Sequence, residues 1–468
     1  MLITADNVRQ PRISERDRLR LGKIELKRTS DLPGPKALDI LKRDKEVLAP
    51  YNRPFYYPFV AESAKGVMLQ DIDGNEFIDF NCGLGVMAMG HGQQEIIDAV
   101  TAQMKRLIHY SYTDFYYRYA VELAEKLNQI TPGNFKKKVF FSGSGAESVE
   151  SMAKIARWHS KRPLFIAFTG AFHGRTMGAI SFTASSPVQK AGFFPYMPGV
   201  EHVPYAYCYR CPFKQEFPGC DYYCVDFIEE WVFNRYVPAE EVAAFFIEPI
   251  QGEGGLIVPP KDYHKRLKKL ADKYGIIYAV DEVQAGMGKT GKWLSIEHFG
   301  VLPDIITMSK ALGGGMSLGA TICRSEILDL PPGSHCTTLG GTPVACAASM
   351  ATIKFYEKHK LLDNAKKLGP YLNKRLTELM DESEIIGDVR GMGLFQGIEI
   401  VKDKKSKIPM GKEAKKIITK AWKKGIIAVT AGDSTIRVMP PLTITKDQLD
   451  AGLGALEASV FEMEKELK

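Results

Sequence analysis

Short apolar runs alternate with amphipathic segments through the middle of the chain, and this alternation limits the fold more than any other feature. Four such runs lie at residues 164–168, 243–247, 276–280 and 305–308. They are continuously apolar, as strands covered on both faces of a parallel sheet are. Segments with helical spacing, such as 263–274, lie between them. The pattern predicts an α/β fold with a doubly wound, mainly parallel sheet over roughly 90–340.

The two ends of the chain carry different patterns. Alternating segments flank Asp73-Gly74 and predict a β-hairpin over 67–80, whereas residues 1–60 are charged, punctuated by proline and poor in strand character. After Pro343 the pattern predicts helices at 345–359, 363–381 and 412–424 and strands at 394–400 and 434–438. We therefore predict three parts, in which both chain ends contribute to a smaller α+β domain: an N-terminal segment at 1–85, a large domain at 86–342 and a C-terminal domain at 343–468.

Composition and charge are those of an ordinary globular protein of 468 residues. Hydrophobic residues make up 45% and charged residues 25%, which excludes a mainly disordered chain. The net charge of +7 comes without the dense basic stripe that nucleic-acid binding needs. The apolar runs are far shorter than the ~18 residues that span a bilayer, and the N-terminus lacks a signal-peptide pattern. We expect a cytoplasmic protein without nucleic-acid or membrane partners.

Four of the eight cysteines lie close together in the segment CYRCPFKQEFPGCDYYC, at 208–224. Two close pairs separated by a loop fit a tetrahedral Cys₄ zinc site. Two disulfides fit as well, although cytosolic disulfides are unusual outside hyperthermophiles, and unligated reduced thiols are the third alternative. In each case we interpret the cluster as a structural staple of Cys208, Cys211, Cys220 and Cys224. We interpret the others as buried small apolar residues: Cys82, Cys323, Cys336 and Cys346.

Glycine-rich and polar segments follow the first predicted strands, where ligands bind in a sheet of this kind. The segment SGSGAE opens a helix after a short strand at 139–141, and its backbone amides suit a phosphate. Phe172, His173 and Arg175 follow the next strand and supply a stacking ring and an anion clamp. Taken alone, each segment also has a purely structural explanation. The first is a turn whose residues are small for steric reasons, and the second is a packed phenylalanine beside a surface arginine.

Three later segments carry ionisable side chains. Glu248 and Glu253 lie in the turn EPIQGEGG, where they can position an amine, pair with an arginine or cap the turn. Asp281 ends a buried strand, which is costly unless a cation or a donor meets its carboxylate. A protonated pyridine nitrogen would meet it, and so would capping of the next turn. Lys310 follows an apolar strand and precedes three glycines, and desolvation lowers the pKa of such a lysine and makes it nucleophilic.

Taken as an ordered set, these segments resemble the class III aminotransferases of the ornithine/4-aminobutyrate type, which are pyridoxal 5'-phosphate (PLP) enzymes of fold type I. The resemblance covers roughly residues 50–460 and is carried by IEPIQGEGG, DEVQAGMGKTG and MSKALGGG. It implies a large PLP-binding domain at 86–342, in which the cysteine loop 208–224 is an insertion. It also implies a homodimer or a dimer-based oligomer with shared active sites.

The resemblance assigns roles to individual residues. Lys310 matches the lysine that binds the cofactor covalently and moves a proton, and Asp281 matches the partner of the pyridine nitrogen. Others match cofactor-binding positions: Gly145 and Ala146 at the phosphate, Phe172 stacked on the ring with His173 beside it, Gln284 near the ring hydroxyl, and Thr338 reaching the phosphate of the neighbouring subunit. The residues on the substrate side are Arg175, Glu248, Glu253, Arg437 and Leu84.

The implied reaction moves the amino group of an ω-amino acid, such as ornithine or 4-aminobutyrate, to 2-oxoglutarate, giving a semialdehyde and glutamate. A pair between Glu253 and Arg437 masks the guanidinium while an ω-amine enters, and breaking the pair exposes it to an α-carboxylate. Leu84 stands where ornithine-selective members have tyrosine, which favours the 4-aminobutyrate type. The alternatives are a PLP-dependent amino-acid racemase of the same family and a non-catalytic binding protein built around the cysteine loop.

Overall fold

The computed structural model describes residues 18–54 and 56–468. Within them the strands are β1 (Arg18–Leu21), β2 (Ile24–Lys27), β3 (Ala61–Lys65), β4 (Met68–Asp71), β5 (Glu76–Asp79), β6 (Lys137–Ser142), β7 (Leu164–Phe168), β8 (Val200–Val203), β9 (Val242–Ile247), β10 (Ile277–Asp281), β11 (Ile305–Met308), β12 (Gly319–Arg324), β13 (Ile386–Met392), β14 (Phe395–Ile400), β15 (Ile426–Ile427), β16 (Thr430–Ala431) and β17 (Thr435–Val438). The α-helices are α1 (Pro35–Val47), α2 (Cys82–Gly85), α3 (Gln94–Arg106), α4 (Arg118–Ile130), α5 (Gly145–Ser160), α6 (Ala179–Phe182), α7 (Tyr223–Phe227), α8 (Tyr263–Tyr274), α9 (Pro343–Lys358), α10 (Leu361–Glu382), α11 (Gly411–Lys423) and α12 (Lys446–Leu467). None of these helices is long and apolar enough to span a bilayer.

A seven-stranded sheet lies at the centre, in the order β6-β12-β11-β10-β9-β7-β8. β12 runs antiparallel to both of its neighbours, and the other neighbouring pairs are parallel, which confirms the α/β prediction. Alternate residues of β9 point to opposite faces: Phe246 joins the apolar cluster that contains Val149 of α5, whereas Phe245 joins the cluster that contains Leu267 of α8. Both faces are covered, and this explains why the central strands are apolar along their whole length.

Six strands of this sheet place their carboxyl ends along one edge, because only β12 runs in the opposite direction. The segments that follow β6, β7, β9, β10 and β11 therefore meet there. The last residues of these five strands are Ser142, Phe168, Ile247, Asp281 and Met308. Apart from the cysteine loop, which follows β8, every segment that we singled out for its chemistry between 142 and 315 follows one of these residues.

Both ends of the chain contribute to one of the outer sheets. Its order is β15-β5-β4-β3, and β15 pairs in parallel with β5. The antiparallel pair of β4 and β5 confirms the predicted hairpin, whose turn contains Gly74 at φ +91°. A second outer sheet, in the order β13-β14-β17-β16, carries Arg437. The domain boundaries at 1–85, 86–342 and 343–468 stay a prediction.

The prediction of little strand character before residue 60 was wrong for 18–27, where β1 and β2 form an antiparallel pair. The sequence RLRLGKIELK alternates charged and aliphatic residues, so one face of the hairpin is apolar despite its charge. Leu26 from that face is fully buried in the main core, and Gly22 provides a turn at φ +58°. Residues 1–17 lie outside the described part of the chain.

Candidate active site

The shared edge of the central sheet encloses a cavity of about 170 Å³. The residues lining it are Gly145, Ala146, Phe172, His173, Gly174, Glu248, Glu253, Asp281, Val283, Gln284, Ser309 and Lys310. Most of them were predicted from the sequence as cofactor or substrate residues. Gly174, Val283 and Ser309 were not, because small and aliphatic side chains give no chemical signal in a sequence.

Asp281 and His173 form a buried pair at the end of β10. The Nδ1 atom of His173 lies 2.8 Å from Oδ2 of Asp281, and the backbone N–H of Val283 donates to Oδ1 at 2.9 Å. Both side chains are almost completely buried, and Nε2 of His173 has no hydrogen-bond partner among the described residues. Asp281 thus presents a negative charge, held in one orientation, at the floor of the cavity.

Lys310 lies two residues beyond the end of β11 and lines the same cavity. Its φ of +46° lies in the left-handed region, which costs a non-glycine residue about 1 kcal/mol or more and is found mainly at functional sites. Burial lowers the pKa of Lys310, and the nearby guanidinium of Arg437 lowers it further. Both effects favour the neutral amine, which is the nucleophilic and basic form.

Helix α5 points its N-terminus at the cavity. The Ser144 side chain caps the helix by accepting from the backbone N–H of Glu147 at 3.2 Å, and the Glu147 carboxylate accepts from the N–H of Gly143 at 2.7 Å. A Cβ added to Gly145 would lie 3.1 Å from Cγ1 of Val283, so the glycine lets the loop approach β10 closely. The free amides of the first turn and the helix dipole favour an anion here.

Glu248 is a buried carboxylate that holds two loops together. It accepts from the backbone N–H groups of Phe172 at 2.7 Å and of Gly252 at 2.6 Å. Burial raises its pKa to about 7, while His173 acts in the opposite direction and Asp281 adds to the increase. Since both carboxylate oxygens are occupied by the backbone, Glu248 orients the walls of the cavity.

Glu253 and Arg437 form an ion pair across the mouth of the cavity, between Oε2 and Nη2, and we call this pair the gate. The Arg437 side chain is only 1% exposed, and its Nη1 lies 3.5 Å from Oε1 of Gln284. The Glu253 side chain is 29% exposed, so it has room to move. The predicted pairing is therefore present in the structure, with the guanidinium masked.

Arg437 contacts Glu253 and Gln284 but does not itself line the cavity, and three other predicted residues lie away from it. Arg175 is exposed, and its guanidinium lies 5.4 Å from the centre of the Phe172 ring. Thr338 is exposed on a surface loop. Leu84, 46% exposed and at φ +60°, lines a separate and more apolar cavity of about 410 Å³ together with Tyr56.

Sequence reasoning missed Lys289, a buried lysine near Lys310. Burial lowers its pKa to about 8, and the charge of Lys310 also lowers it. Its Nζ donates to the carbonyl of Gly286 at 3.3 Å and would lie 3.7 Å from a Cβ at Gly85. The signal was available in the motif GMGKTG, where a lysine stands between two glycines and an apolar strand precedes the loop.

The cysteine loop differs from what we expected. All eight cysteines are free thiols, and in the part of the chain that the structure describes no group of His, Cys, Asp and Glu side chains could hold a metal ion. Neither zinc nor a disulfide is supported. Burial and the neighbouring thiols raise the pKa of Cys208 to about 11 and that of Cys224 to about 12. Cys336 is exposed rather than buried, whereas Cys82, Cys323 and Cys346 are buried as predicted.

The donor set of the cavity fits PLP, the cofactor that the resemblance implies. A buried carboxylate suits the protonated ring nitrogen, a lysine with a lowered pKa suits the aldehyde, and a helix N-terminus suits the phosphate. The glycine at position 145 keeps open the space beside Val283 that a side chain would fill.

Comparison with known proteins establishes the family. Residues 50–460 match the family model described as aminotransferase class-III. The chain belongs to this family. Its members are PLP-dependent enzymes that act on small amino acids and oxo acids. Among the relatives of this class III protein is a leucine/methionine racemase from Thermococcus litoralis, 42% identical over 91% of the chain and 96% of the relative. A probable 4-aminobutyrate aminotransferase from Bacillus subtilis is 37% identical over 86% and 92%.

Solved structures agree with the family and with PLP fold type I. An (S)-enantioselective ω-transaminase from Thermomicrobium roseum superposes with a TM-score of 0.85 at 32% identity, covering 91% of this chain and 99% of that one. A PLP-bound amine transaminase from an uncultivated Pseudomonas species superposes with a TM-score of 0.82 at 30% identity, covering 89% and 97%. The class III chain is therefore an α/β protein of the same fold as these transaminases.

Proposed function

We propose that this class III enzyme transfers the amino group of an ω-amino acid, such as 4-aminobutyrate or ornithine, to 2-oxoglutarate. The closed gate is the observation that carries the proposal, because a transaminase must accept two different substrates in turn at one site. With Glu253 on Arg437, an ω-amine enters without a competing guanidinium. When an α-amino acid binds, its carboxylate replaces Glu253 and pairs with Arg437 in a bidentate way.

The residues that line the cavity support a set of cofactor contacts. Lys310 would bind PLP covalently, Asp281 would keep the ring nitrogen protonated, and the first turn of α5 at Gly145 and Ala146 would hold the phosphate. Phe172 would stack on the ring, and Gln284 would hydrogen-bond the ring hydroxyl. When bound, PLP supplies an electron sink beside the amine that reacts.

Lys310 is the proposed acid and base of the reaction. With PLP and substrate bound, Nζ of Lys310 would be a free amine, and its lowered pKa favours the neutral form. Nζ would take a proton from the substrate carbon that bears the nitrogen and would later give a proton back. Asp281, oriented by His173, keeps its charge in place during both transfers.

We also propose that the enzyme works as a homodimer in the cytoplasm. Thr338, which is exposed in the single chain, then reaches the phosphate of the neighbouring subunit. Leu339, the next residue along the chain, has an exposed apolar side chain. A second segment with an exposed ring, that of Tyr116, contacts the same loop, because Oγ1 of Thr113 donates to the carbonyl of Thr337 at 2.8 Å.

A screen of amine donors with 2-oxoglutarate tests the proposal. We expect glutamate to form from 4-aminobutyrate or ornithine in the wild type, and no glutamate to form in Lys310→Ala, which also loses the visible absorbance of covalently bound PLP. Glu253→Ala keeps that absorbance but shifts the preference from ω-amino to α-amino donors. A wild type that binds PLP but transfers no amino group from any ω-amino acid contradicts the proposal.

A racemase of apolar amino acids is a second candidate. It is favoured by the identity to the leucine/methionine racemase, which exceeds that to the 4-aminobutyrate aminotransferase. The apolar cavity that contains Leu84 and Tyr56 is consistent with an aliphatic side chain. Incubation of one pure L-amino acid without an oxo acid separates the two: appearance of the D-form favours the racemase, and dependence on 2-oxoglutarate favours the aminotransferase.

A further inference from the structure

Arg390 on β13 contacts the two segments that carry the gate residues. Its Nε donates to the backbone carbonyl of Gly255 at 2.8 Å, and its Nη2 donates to Oγ1 of Thr435 at 2.7 Å. Gly255 lies two residues after Glu253 in the same turn, and Thr435 lies two residues before Arg437 on β17. The Arg390 guanidinium thus bridges the turn that carries Glu253 and the strand that carries Arg437.

The turn that carries Glu253 depends on Arg390 more than β17 does. β17 is hydrogen-bonded to β14 on one side and to β16 on the other, so Arg437 keeps its place without help. The turn is closed internally by hydrogen bonds such as that from the N–H of Gly255 to the carbonyl of Gly252 at 3.1 Å. It is joined to the outer sheet by the hydrogen bond from the N–H of Gly432 to the carbonyl of Glu253 at 2.7 Å and by Arg390. A Cβ on Gly255 would lie 3.0 Å from Nη2 of Arg390, so the guanidinium packs directly against the turn.

The cysteine loop supports Arg390 through a shared carboxylate. Glu399 on β14 is 2% exposed, and its Oε2 lies 2.6 Å from Nη1 of Arg390. The same carboxylate accepts from Nε of Arg210 and from the hydroxyl of Tyr207, which lie in and beside the cysteine loop. Loss of either arginine leaves part of a buried charge uncompensated, which disturbs the geometry of the rest.

We infer that Arg390 is a positioning residue that holds the Glu253 turn in place against Arg437, and that the cysteine loop supports it through Arg210. The inference rests on the proposed function, because it gives the gate a role in the choice between donors. If Arg390 no longer anchors the turn, Glu253 masks Arg437 less completely. The kcat/KM for donors with an α-carboxylate then rises relative to that for ω-amino donors.

The experiment compares holoenzymes of the wild type, Arg390→Gln, Arg390→Lys and Arg210→Gln. We measure kcat/KM for L-glutamate and for 4-aminobutyrate, and the dissociation constant of L-glutamate from the change in visible absorbance of bound PLP. We expect Arg390→Gln to raise the ratio of glutamate to 4-aminobutyrate about fivefold or more, in the range of typical coupling between sites. Arg390→Lys shifts it less, because lysine keeps the positive charge beside Glu399 even though it cannot make both directed bonds at once. Arg210→Gln also shifts it less, because Arg210 acts only through Glu399.

Arg375→Gln is the matched control. Arg375 also pairs with carboxylates, those of Glu378, Asp450 and Glu457, but it lies on α10, away from the gate. It should leave the ratio unchanged. The inference is overturned if Arg390→Gln has wild-type cofactor absorbance and an unchanged ratio of kcat/KM for L-glutamate to kcat/KM for 4-aminobutyrate. If Arg390→Gln does not fold, the same ratio is measured in Arg390→Lys and Arg210→Gln, and an unchanged ratio in both overturns the inference.

The binding measurement keeps this inference separate from the proposed function. If the wild type transfers no amino group from any ω-amino donor, the proposed function fails. The dissociation constant of L-glutamate still tests the position of Glu253, because it reports only how well an α-carboxylate reaches Arg437. A decrease of about fivefold in Arg390→Gln supports the inference, and no change overturns it.

Discussion

At the residue scale, the cavity depends on a few buried charges that have specific partners. Asp281 shares a hydrogen bond with His173 and receives the N–H of Val283, so its carboxylate has one orientation. Glu248 is held by two backbone N–H groups and shapes the wall. The charge of Asp281, rather than its size, is what the proposed chemistry uses, because an amide cannot keep a pyridine nitrogen protonated.

We expect Asp281→Asn to lower kcat/KM for the amine donor by about 100-fold or more, since a preorganised charge at the reacting group is lost. Steady-state kinetics, together with the visible absorbance of bound PLP, measures the effect. Asp262→Asn, an exposed aspartate paired with Lys265, serves as the control and should keep wild-type kinetics. An Asp281→Asn enzyme as active as the wild type would show that this carboxylate does not serve the cofactor.

Glu282 predicts a pH dependence of stability. It is buried and accepts from the N–H groups of Ser295 at 3.0 Å and Ile296 at 2.7 Å, and burial raises its pKa from 4.5 to about 7. Between these two values the folded protein binds more protons than the unfolded chain, so stability falls as the pH rises through that window. In Glu282→Gln this contribution is absent.

Thermal unfolding of the holoenzyme across the window from 4.5 to about 7 tests this point. The decrease in apparent Tm with rising pH should be smaller in Glu282→Gln than in the wild type, by about 2–4 °C. Glu240→Gln, at an exposed position, should follow the wild type. Parallel curves for the wild type and Glu282→Gln would refute the assignment.

At the element scale, helix α5 and the loop before it form the phosphate end of the proposed site. β6 ends at Ser142, and α5 begins at Gly145 after a serine cap, so the amides of the first turn face the cavity. The loop approaches β10 so closely that a Cβ at Gly145 would contact Val283 at 3.1 Å and 3.2 Å. The space that a phosphate needs therefore depends on the glycine.

Gly145→Ala should raise the dissociation constant of PLP by about tenfold, equivalent to about 1.4 kcal/mol, because the loop must shift away from Val283. Titration of the apoenzyme with PLP, followed by absorbance, measures this constant. Gly454→Ala is the matched control, since Gly454 lies inside α12 with open space around it, and there alanine should stabilise the helix. Equal affinity in wild type and Gly145→Ala would remove this loop from the phosphate site.

At the scale of the whole molecule, two neighbouring segments expose large apolar side chains. Phe115 and Leu339 are more than half exposed, and Tyr116 is fully exposed. The segments that carry them are joined by the hydrogen bond from Thr113 to Thr337. Exposed apolar side chains on neighbouring segments are typical of a subunit interface, and Thr338 lies on one of these segments, between Thr337 and Leu339.

We expect the holoenzyme to sediment with twice the mass of the 468-residue chain and Leu339→Asp to sediment as a monomer that loses PLP more readily. Burying an unpaired carboxylate at an apolar interface is the physical reason. Tyr236→Asp adds the same charge at an exposed position elsewhere in the chain and should leave the mass unchanged. A monomeric wild type that retains full activity would contradict the dimer.

The core of the fold could be predicted because its signals are local. The apolar runs at 164–168 and 305–308 coincide with β7 and β11 residue for residue, and the segments that follow them lie in one cavity. The hairpin of β1 and β2 was missed because its many charged residues were interpreted as an irregular segment, although they alternate regularly with aliphatic residues. The antiparallel direction of β12 was not predicted either, because strand direction within a sheet depends on long-range pairing.

The sequence by itself determined the chemistry, since the order of strand-end motifs identified the family and the roles expected of Lys310, Asp281 and Arg437. The tertiary structure decided what those residues touch. It brought Glu253 onto Arg437 from a different part of the chain, let Arg390 bridge the turn at Gly255 and the strand at Thr435, and left the cysteines as free thiols. The physical reason is that periodicity and motifs reflect neighbours along the chain, whereas ion pairs and metal geometry depend on side chains that only folding brings within a few ångströms.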